Sequence, residues 1–183
     1  MKLVILDRDG VINQDSDAYV KSADEWIPID GSIEAIAKLY KAGFTVVVAT
    51  NQSGLARGLF DLDDLEAMHD KLTQLVIDAG GELGAIFYCP HGPDDNCNCR
   101  KPKAGLIDAI EAEFDVSASS VPLVGDSLRD LEAGLQKGCD PLLVLTGKGE
   151  KTLPKLAETE GLEQTPHFAD LAQAADHIIE RYS

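Results

Sequence analysis

A short apolar run that stops on two aspartates does most to limit the folds open to this chain. Leu3 to Leu6 is long enough for a buried parallel strand and too short for a helix of ordinary length. It leads into Asp7-Arg8-Asp9-Gly10. In an open α/β sheet, ligands bind in the crevice beyond the carboxyl ends of the strands, so Asp7 and Asp9 would emerge where chemistry is usually done. Gly10 lets the backbone turn away. Taken alone, the pair also fits an acidic strand-to-loop junction, and the rest of the chain has to decide.

The remaining pattern repeats that first strand. Phe44 to Ala49 is rich in β-branched residues and ends at Thr50-Asn51-Gln52-Ser53-Gly54; Ala85 to Tyr88, Val121 to Gly125 and Leu142 to Leu145 are further short strands. Helices are expected between them. Asp30 reads as an N-cap before Ile33, Ile36, Ala37 and Tyr40, with Gly43 as the stop. Asp61 caps a long stripe from Leu62 to Ala79, and Ala104 to Phe114, Ser127 to Lys137 and Leu171 to Tyr182 complete the set. Gly147 to Lys151 reads as a loop. Strand and helix alternate throughout, which specifies an α/β fold: a Rossmann-like three-layer sandwich on a central parallel sheet. Val11 to Pro28 has no clean period and reads as a short flap over the strand ends.

With 183 residues the chain is expected to form one domain, residues 1–183. A net charge of -16 argues against non-specific binding to nucleic acid, which needs a surplus of lysine and arginine. An anionic ligand would then need positive charge concentrated locally, and bound cations are the direct way to supply it. There is no signal peptide pattern and no apolar run near about 18 residues, so no membrane partner and a cytoplasmic location are expected.

Three strands finish in groups suited to phosphate or metal: Asp7 with Asp9, Thr50 with Asn51, and Asp126. Parallel strands point the same way, so these groups would converge on one crevice. A P-loop is excluded because no GxxxxGKS or GxxxxGKT run exists, and a dinucleotide fingerprint is excluded for lack of GxGxxG after the first strand. Cys89, His91, Cys97 and Cys99 form a CxHxxxxxCxC loop. Soft sulfur and nitrogen donors in a set of four suit tetrahedral Zn²⁺, and a site filled by protein ligands is structural. Cys139 reads as a core or near-surface thiol, and His69 as a packed or surface histidine.

Asp7-Arg8-Asp9-Gly10-Val11, Thr50-Asn51, Lys101, and Gly125-Asp126 with Asp130 downstream together resemble the four motifs of the haloacid dehalogenase superfamily of phosphatases. The resemblance spans most of the chain. It implies that Asp7 is the nucleophile that becomes an aspartyl-phosphate, and that Asp9 is the proton donor and acceptor. It further implies that Lys101 stabilises charge, and that Mg²⁺ is held by Asp7, the Asp9 backbone carbonyl and Asp126. A carboxylate suits the nucleophile's task because it is already ionised near pH 7. Anion must approach anion, however: unit charges ~4 Å apart repel by about 4 kcal/mol at an effective dielectric near 20.

The Cys/His loop followed by Arg100-Lys101 narrows the resemblance to the heptose-1,7-bisphosphate 7-phosphatases of activated-heptose and lipopolysaccharide-core synthesis. Histidinol-phosphate phosphatases share much of the pattern. The heptose branch implies substrate contacts from Asp15, Tyr19, Thr50, Asn51, Gln52, Ser53, Arg100 and Lys101. The expected partner is a small phosphorylated sugar, the expected state a monomer without a large cap domain. The alternatives are a histidinol-phosphate phosphatase or a zinc-stabilised binding module without activity. Ser127 stands where the family often has a lysine, with Arg129 nearby as a possible substitute.

Overall fold

The structure, a computed structural model, describes all 183 residues. Its elements in chain order are β1 (Lys2–Leu6), α1 (Ser32–Lys41), β2 (Phe44–Asn51), α2 (Leu62–Asp78), β3 (Ala85–Cys89), α3 (Gly105–Phe114), β4 (Pro122–Gly125), α4 (Leu128–Gln136), β5 (Asp140–Val144), α5 (Gly149–Leu156), β6 (His167–Phe168) and α6 (Leu171–Tyr182). The strands form one sheet in the order β3-β2-β1-β4-β5-β6, and every pairing is parallel. The chain order reverses between β1 and β4, where Leu6 faces Val48 on one side and Val124 on the other. Such a switch point leaves a crevice at the strand ends.

Strand alternation divides the core into two layers. Val4 and Leu6 point into a cluster with Ile36, Met68, Leu72 and Ile178, which α1, α2 and α6 contribute. Leu3 and Ile5 point the other way, toward Ile107, Ile110, Leu131 and Leu156 from α3, α4 and α5. Both faces of β1 are therefore covered, which is why its sequence is continuously apolar and not alternating.

The segment between β1 and α1 is anchored despite lacking regular structure. Val11, Ile12, Val20 and Trp26 enter the core. Lys71, on α2, donates to the carbonyls of Ala23 and Trp26 at 2.7 and 2.6 Å. That leaves Asp15 to Tyr19 arched over the strand ends.

Four local expectations need correction. Asp30 is not the cap of α1: Gly31 is, in the left-handed region at φ 85°, and no side chain caps the helix. Tyr40 and Leu62, assigned to apolar stripes, are exposed, at 42 and 60%. Residues after Lys148 form α5 and not a loop, although Gly149 and Pro154 weaken its helical signature. A sixth strand, β6, was unforeseen because two residues carry no period. Asp61 does cap α2, in a reciprocal pair with Asp64.

Candidate active site at the strand ends

The crevice holds a cavity of about 200 Å³ lined by residues at or just beyond the ends of β1, β2 and β4 and by the flap. Asp7, Asp9, Asp15, Tyr19, Thr50, Asn51, Gln52, Ser53, Arg100, Lys101 and Asp126 all face it, so the sequence-predicted residues outside the Cys/His loop do converge.

Its floor is a buried charge cluster. Lys101 Nζ donates to Asp7 Oδ1 at 2.9 Å, to the Ala49 carbonyl at 2.8 Å, and meets Asp130 Oδ1 at 2.6 Å. Three acceptors use all three ammonium protons. The neighbouring carboxylates hold the Lys101 ammonium above its usual range, against the opposing effect of burial. Asp130 is itself fixed by the backbone N–H and hydroxyl of Ser127, and its carboxyl stays below the usual range although burial acts to raise it. Asp130 was noted in the sequence but given no role. It is the counter-ion that locks the lysine.

Asp7 and Asp126 have the opposite problem. Burial, then repulsion by Asp130, pushes Asp7 up to about 7. Burial, then Asp7 and Asp130, pushes Asp126 up to about 9. Oxygens of these three aspartates lie within 4.8 Å of one another. Both Asp130 oxygens are occupied, whereas Asp7 Oδ2 and Asp126 Oδ1 accept no hydrogen bond. No backbone N–H reaches the Asp9 carbonyl either. Two free carboxylate oxygens and a free carbonyl, with excess negative charge, are the donor set a hard divalent cation takes.

Packing holds Asp126 in place. A Cβ on Gly10 or on Gly147 would lie 2.0 or 2.2 Å from Asp126 Oδ2, so both positions require glycine. Asp126 Oδ2 accepts from the Lys148 backbone N–H at 2.9 Å, and Thr152 donates to the Asp126 carbonyl at 2.8 Å. The unforeseen helix α5 thus steadies the site from below.

Asp9 lies across the cavity with one oxygen fully engaged. Its Oδ1 accepts from Arg8 Nε at 3.0 Å, Arg8 Nη2 at 2.8 Å and Asn13 Nδ2 at 2.8 Å. Only Gln52 Nε2, at 3.2 Å, reaches Oδ2, and the same amide donates to Thr50 Oγ1 at 3.0 Å. Asn51 differs from expectation. Its side-chain amide brackets the Lys101 backbone, donating to the carbonyl at 3.1 Å and accepting from the N–H at 3.0 Å. That amide positions Lys101 and is not free for a phosphoryl oxygen.

The Cys/His loop abuts this site. Cys89 Sγ lies 3.6 Å from His91 Nδ1 and 3.7 Å from Cys97 Sγ, and His91 Nδ1 lies 3.4 Å from Cys99 Sγ. Donors ~2.3 Å from a tetrahedral zinc would be about 3.8 Å apart for two sulfurs and slightly less for sulfur and nitrogen. Those three distances fit. Cys89 and Cys99, at 2.8 Å, are closer than such an edge allows. Burial pushes the Cys89 thiol up to about 12. Cys139 is buried in the core, as one of its two readings had it.

The cavity's mouth carries cations without partners. Arg100 and Arg129 take part in no ion pair or side-chain hydrogen bond, yet after burial the charges of Arg129 and of Arg57, which lies over the Tyr19 ring, depress the Arg100 guanidinium. Lys148 reaches toward Asp15 of the flap at 3.8 Å. Lys148 was missed because a lone lysine in a glycine-bearing stretch carries no signal.

A parallel sheet with an acidic pair after its first strand, a bracketed lysine and a second acidic strand end define a phosphotransfer-type hydrolase site. A family model described as HAD-hydrolase-like matches residues 98–174. A D-glycero-β-D-manno-heptose-1,7-bisphosphate 7-phosphatase of Pseudomonas putida is 58% identical, the match covering 98% of this chain and 100% of that protein. The protein of the same description from Bordetella bronchiseptica is 57% identical, with 98 and 99% covered. A crystal structure of the D,D-heptose 1,7-bisphosphate phosphatase from B. bronchiseptica, complexed with magnesium and phosphate, superposes with TM-score 0.93 over 98% of this chain and 99% of that one, at 57% identity. The chain belongs to the haloacid dehalogenase-like phosphatases, and within them to the heptose-bisphosphate 7-phosphatase family. It is a phosphoric monoester hydrolase.

Proposed function

We propose that the chain hydrolyses the 7-phosphate of D-glycero-β-D-manno-heptose 1,7-bisphosphate through an aspartyl-phosphate on Asp7. The observation that carries this reading is the division of charge along the cavity: a free carboxylate oxygen at its floor and unpaired arginines at its mouth. Phosphate at the reacting end meets Lys101; a second phosphate, ~7 atoms along a bisphosphorylated sugar, would meet Arg100 and Arg129. A substrate with one phosphate and a cationic tail, such as histidinol phosphate, would bring its ammonium toward those arginines.

Asp7 Oδ2 attacks phosphorus, the bond to the sugar oxygen breaks, and that oxygen takes a proton from Asp9 Oδ2. Asp9 then accepts a proton from water as it attacks the acyl-phosphate, releasing phosphate and restoring Asp7. Thr50, Gln52 and Ser53 line the reacting end, while Asp15 and Tyr19 close over the sugar. Magnesium, for which Asp7, Asp126 and the Asp9 carbonyl fit as ligands, supplies positive charge beside the phosphoryl oxygens. Zn²⁺ suits Cys89, His91, Cys97 and Cys99, where it would brace Arg100 and Lys101 immediately downstream. One sheet with all six strands supports a single folding unit, and no helix is long and apolar enough to cross a membrane.

The test is released phosphate from the β-anomer of the heptose bisphosphate, its α-anomer and histidinol phosphate, compared by kcat/KM. The β-anomer is expected to lead; preference for histidinol phosphate would overturn the substrate assignment.

A further inference from the structure

His69 lies on the face of α2 that looks toward the strand ends, outside the cavity itself. Its Nε2 sits 3.2 Å from Arg8 Nη1. Arg8 is fully buried and permanently charged, so its nitrogen must donate, and the His69 nitrogen must be the bare acceptor with the ring proton on Nδ1. Burial, followed by the Arg8 charge, pushes His69 down to about 4, which keeps the ring neutral and able to accept. The other charged or titratable groups facing it are Asp9, next to Arg8, and Tyr88 of β3, whose ring centroid is 6.1 Å away. The remaining contacts of the guanidinium run to Asp9 Oδ1 alone. Arg8 is thus held between two partners, one of them the acid/base group.

We infer that His69 is a positioning residue for Asp9, acting through Arg8. The imidazole fixes one guanidinium nitrogen; the guanidinium then clamps Asp9 Oδ1 through two others. Asn13 supplies a third donor to that oxygen. With Oδ1 occupied, the proton that Asp9 gives or takes is confined to Oδ2, the oxygen on the Gln52 side of the cavity. Removing the imidazole frees one guanidinium nitrogen, so the hold on Oδ1 falls to Asn13 and a looser Arg8, and the acid is misplaced. A displacement of about 1 Å at a reacting group is enough to matter for rate.

This rests on the reading of Asp9 as general acid, and leaving-group dependence separates the two. A misplaced acid harms departure of a basic alkoxide and spares departure of an acidic phenoxide, which needs no proton. The probes are 4-nitrophenyl phosphate, phenyl phosphate and the heptose bisphosphate, compared by kcat/KM, a quantity that reports steps up to leaving-group departure. Asp9→Asn is expected to lose activity steeply as the leaving group becomes more basic. His69→Leu should follow the same slope with about a tenfold loss on phenyl phosphate and less than about twofold on 4-nitrophenyl phosphate. His69→Gln, which keeps an acceptor at similar reach, should restore the wild-type slope. A flat slope in Asp9→Asn would refute the acid assignment; a steep slope there with an even loss across probes in His69→Leu would refute the positioning role. Nitrogen-15 shifts of the wild-type ring provide a check that does not need the variant to fold. A neutral ring protonated at Nδ1 is expected, and a proton at Nε2 would overturn the inference.

Discussion

The two donor clusters of this molecule sit two residues apart in sequence yet are built on opposite principles. The carboxylate cluster gathers Asp7, Lys101, Asp126 and Asp130 from distant parts of the chain onto the ends of a rigid sheet. The thiol-imidazole cluster gathers its four donors within eleven residues of loop, Cys89 to Cys99, of which only Cys89 lies on a strand and is buried. In the first, the surrounding fold supplies position, so the cation need supply only charge. In the second, Cys97 and Cys99 pack only partly buried against the core, so a cation would add much of the remaining constraint. The join is Arg100-Lys101, where the loop's order becomes the placement of the one buried ammonium. Loss of a metal should therefore disable the sheet end without unfolding it, and should loosen the loop side while leaving the core intact.

The comparison is broken most severely at the proposed nucleophile. Asp7→Asn removes the attacking oxygen but keeps size and a Lys101 partner, so phosphate release should be abolished with the far-ultraviolet spectrum unchanged. Residual turnover near wild type would show that the sheet-end cluster is not where the phosphoryl group is captured. Cys97→Ser comes next. Structural sites of this type contribute folding energy through the metal, so zinc content measured by elemental analysis should fall. Activity should drop by about tenfold or more, on the order of what loss of a metal's supporting groups costs. Magnesium affinity should hold, because none of the proposed magnesium ligands lies in the loop.

Arg129→Ala sharpens the same division more gently. A charge-assisted hydrogen bond contributes about 1.5–3 kcal/mol, and solvent at this exposed side chain reduces it toward the lower figure. KM for the bisphosphate should rise about tenfold with kcat nearly unchanged, and the sugar carrying the 7-phosphate alone should show no such rise. Equal effects on both would mean that Arg129 does not read the second phosphate.

The two clusters also differ in how far they could be read from sequence. The CxHxxxxxCxC spacing is local, and its donor types state their chemistry without help from the fold. The convergence of Asp7, Thr50 and Asp126 was legible for a different reason: each follows an apolar run, and parallel strands share a direction. What sequence could not supply was pairing. Nothing in the chain says that the carboxyl of Asp130 meets the ammonium of Lys101, or that the amide of Asn51 faces the Lys101 backbone, because those contacts exist only once β1, β2 and β4 lie side by side. Helix α5 was hidden by Gly149 and Pro154, although Thr152 and Leu156 are buried at helical spacing. With it went the Lys148 N–H and the Thr152 hydroxyl that support Asp126. His69 looked like packing because nothing in the sequence pairs it with Arg8, sixty-one residues away.

The smallest effect, and the one that tests the charge argument most directly, is the pH dependence of stability at the carboxylate cluster. Without metal, Asp7 titrates near 7 and Asp126 near 9 in the folded chain, whereas an unfolded aspartate titrates near 3.8. Between those values the folded state retains protons that the unfolded state has released. Unfolding is therefore favoured as pH rises, and the stabilising contribution present below about pH 4 is lost progressively through 7 and on toward 9. A divalent cation replaces those protons, so the loss should vanish when magnesium is bound. The midpoint of thermal unfolding should separate between magnesium-loaded and chelator-treated protein by more at about pH 8 than at about pH 5. The separation should grow by at least a few degrees between those pH values, since each kcal/mol shifts a domain of this size by about 2–4 °C. Asp126→Asn should shrink it at both pH values, while Cys97→Ser should leave it unchanged. A gap that narrows as pH rises would mean that burial does not hold protons on Asp7 and Asp126, and that the sheet end is already balanced without a cation.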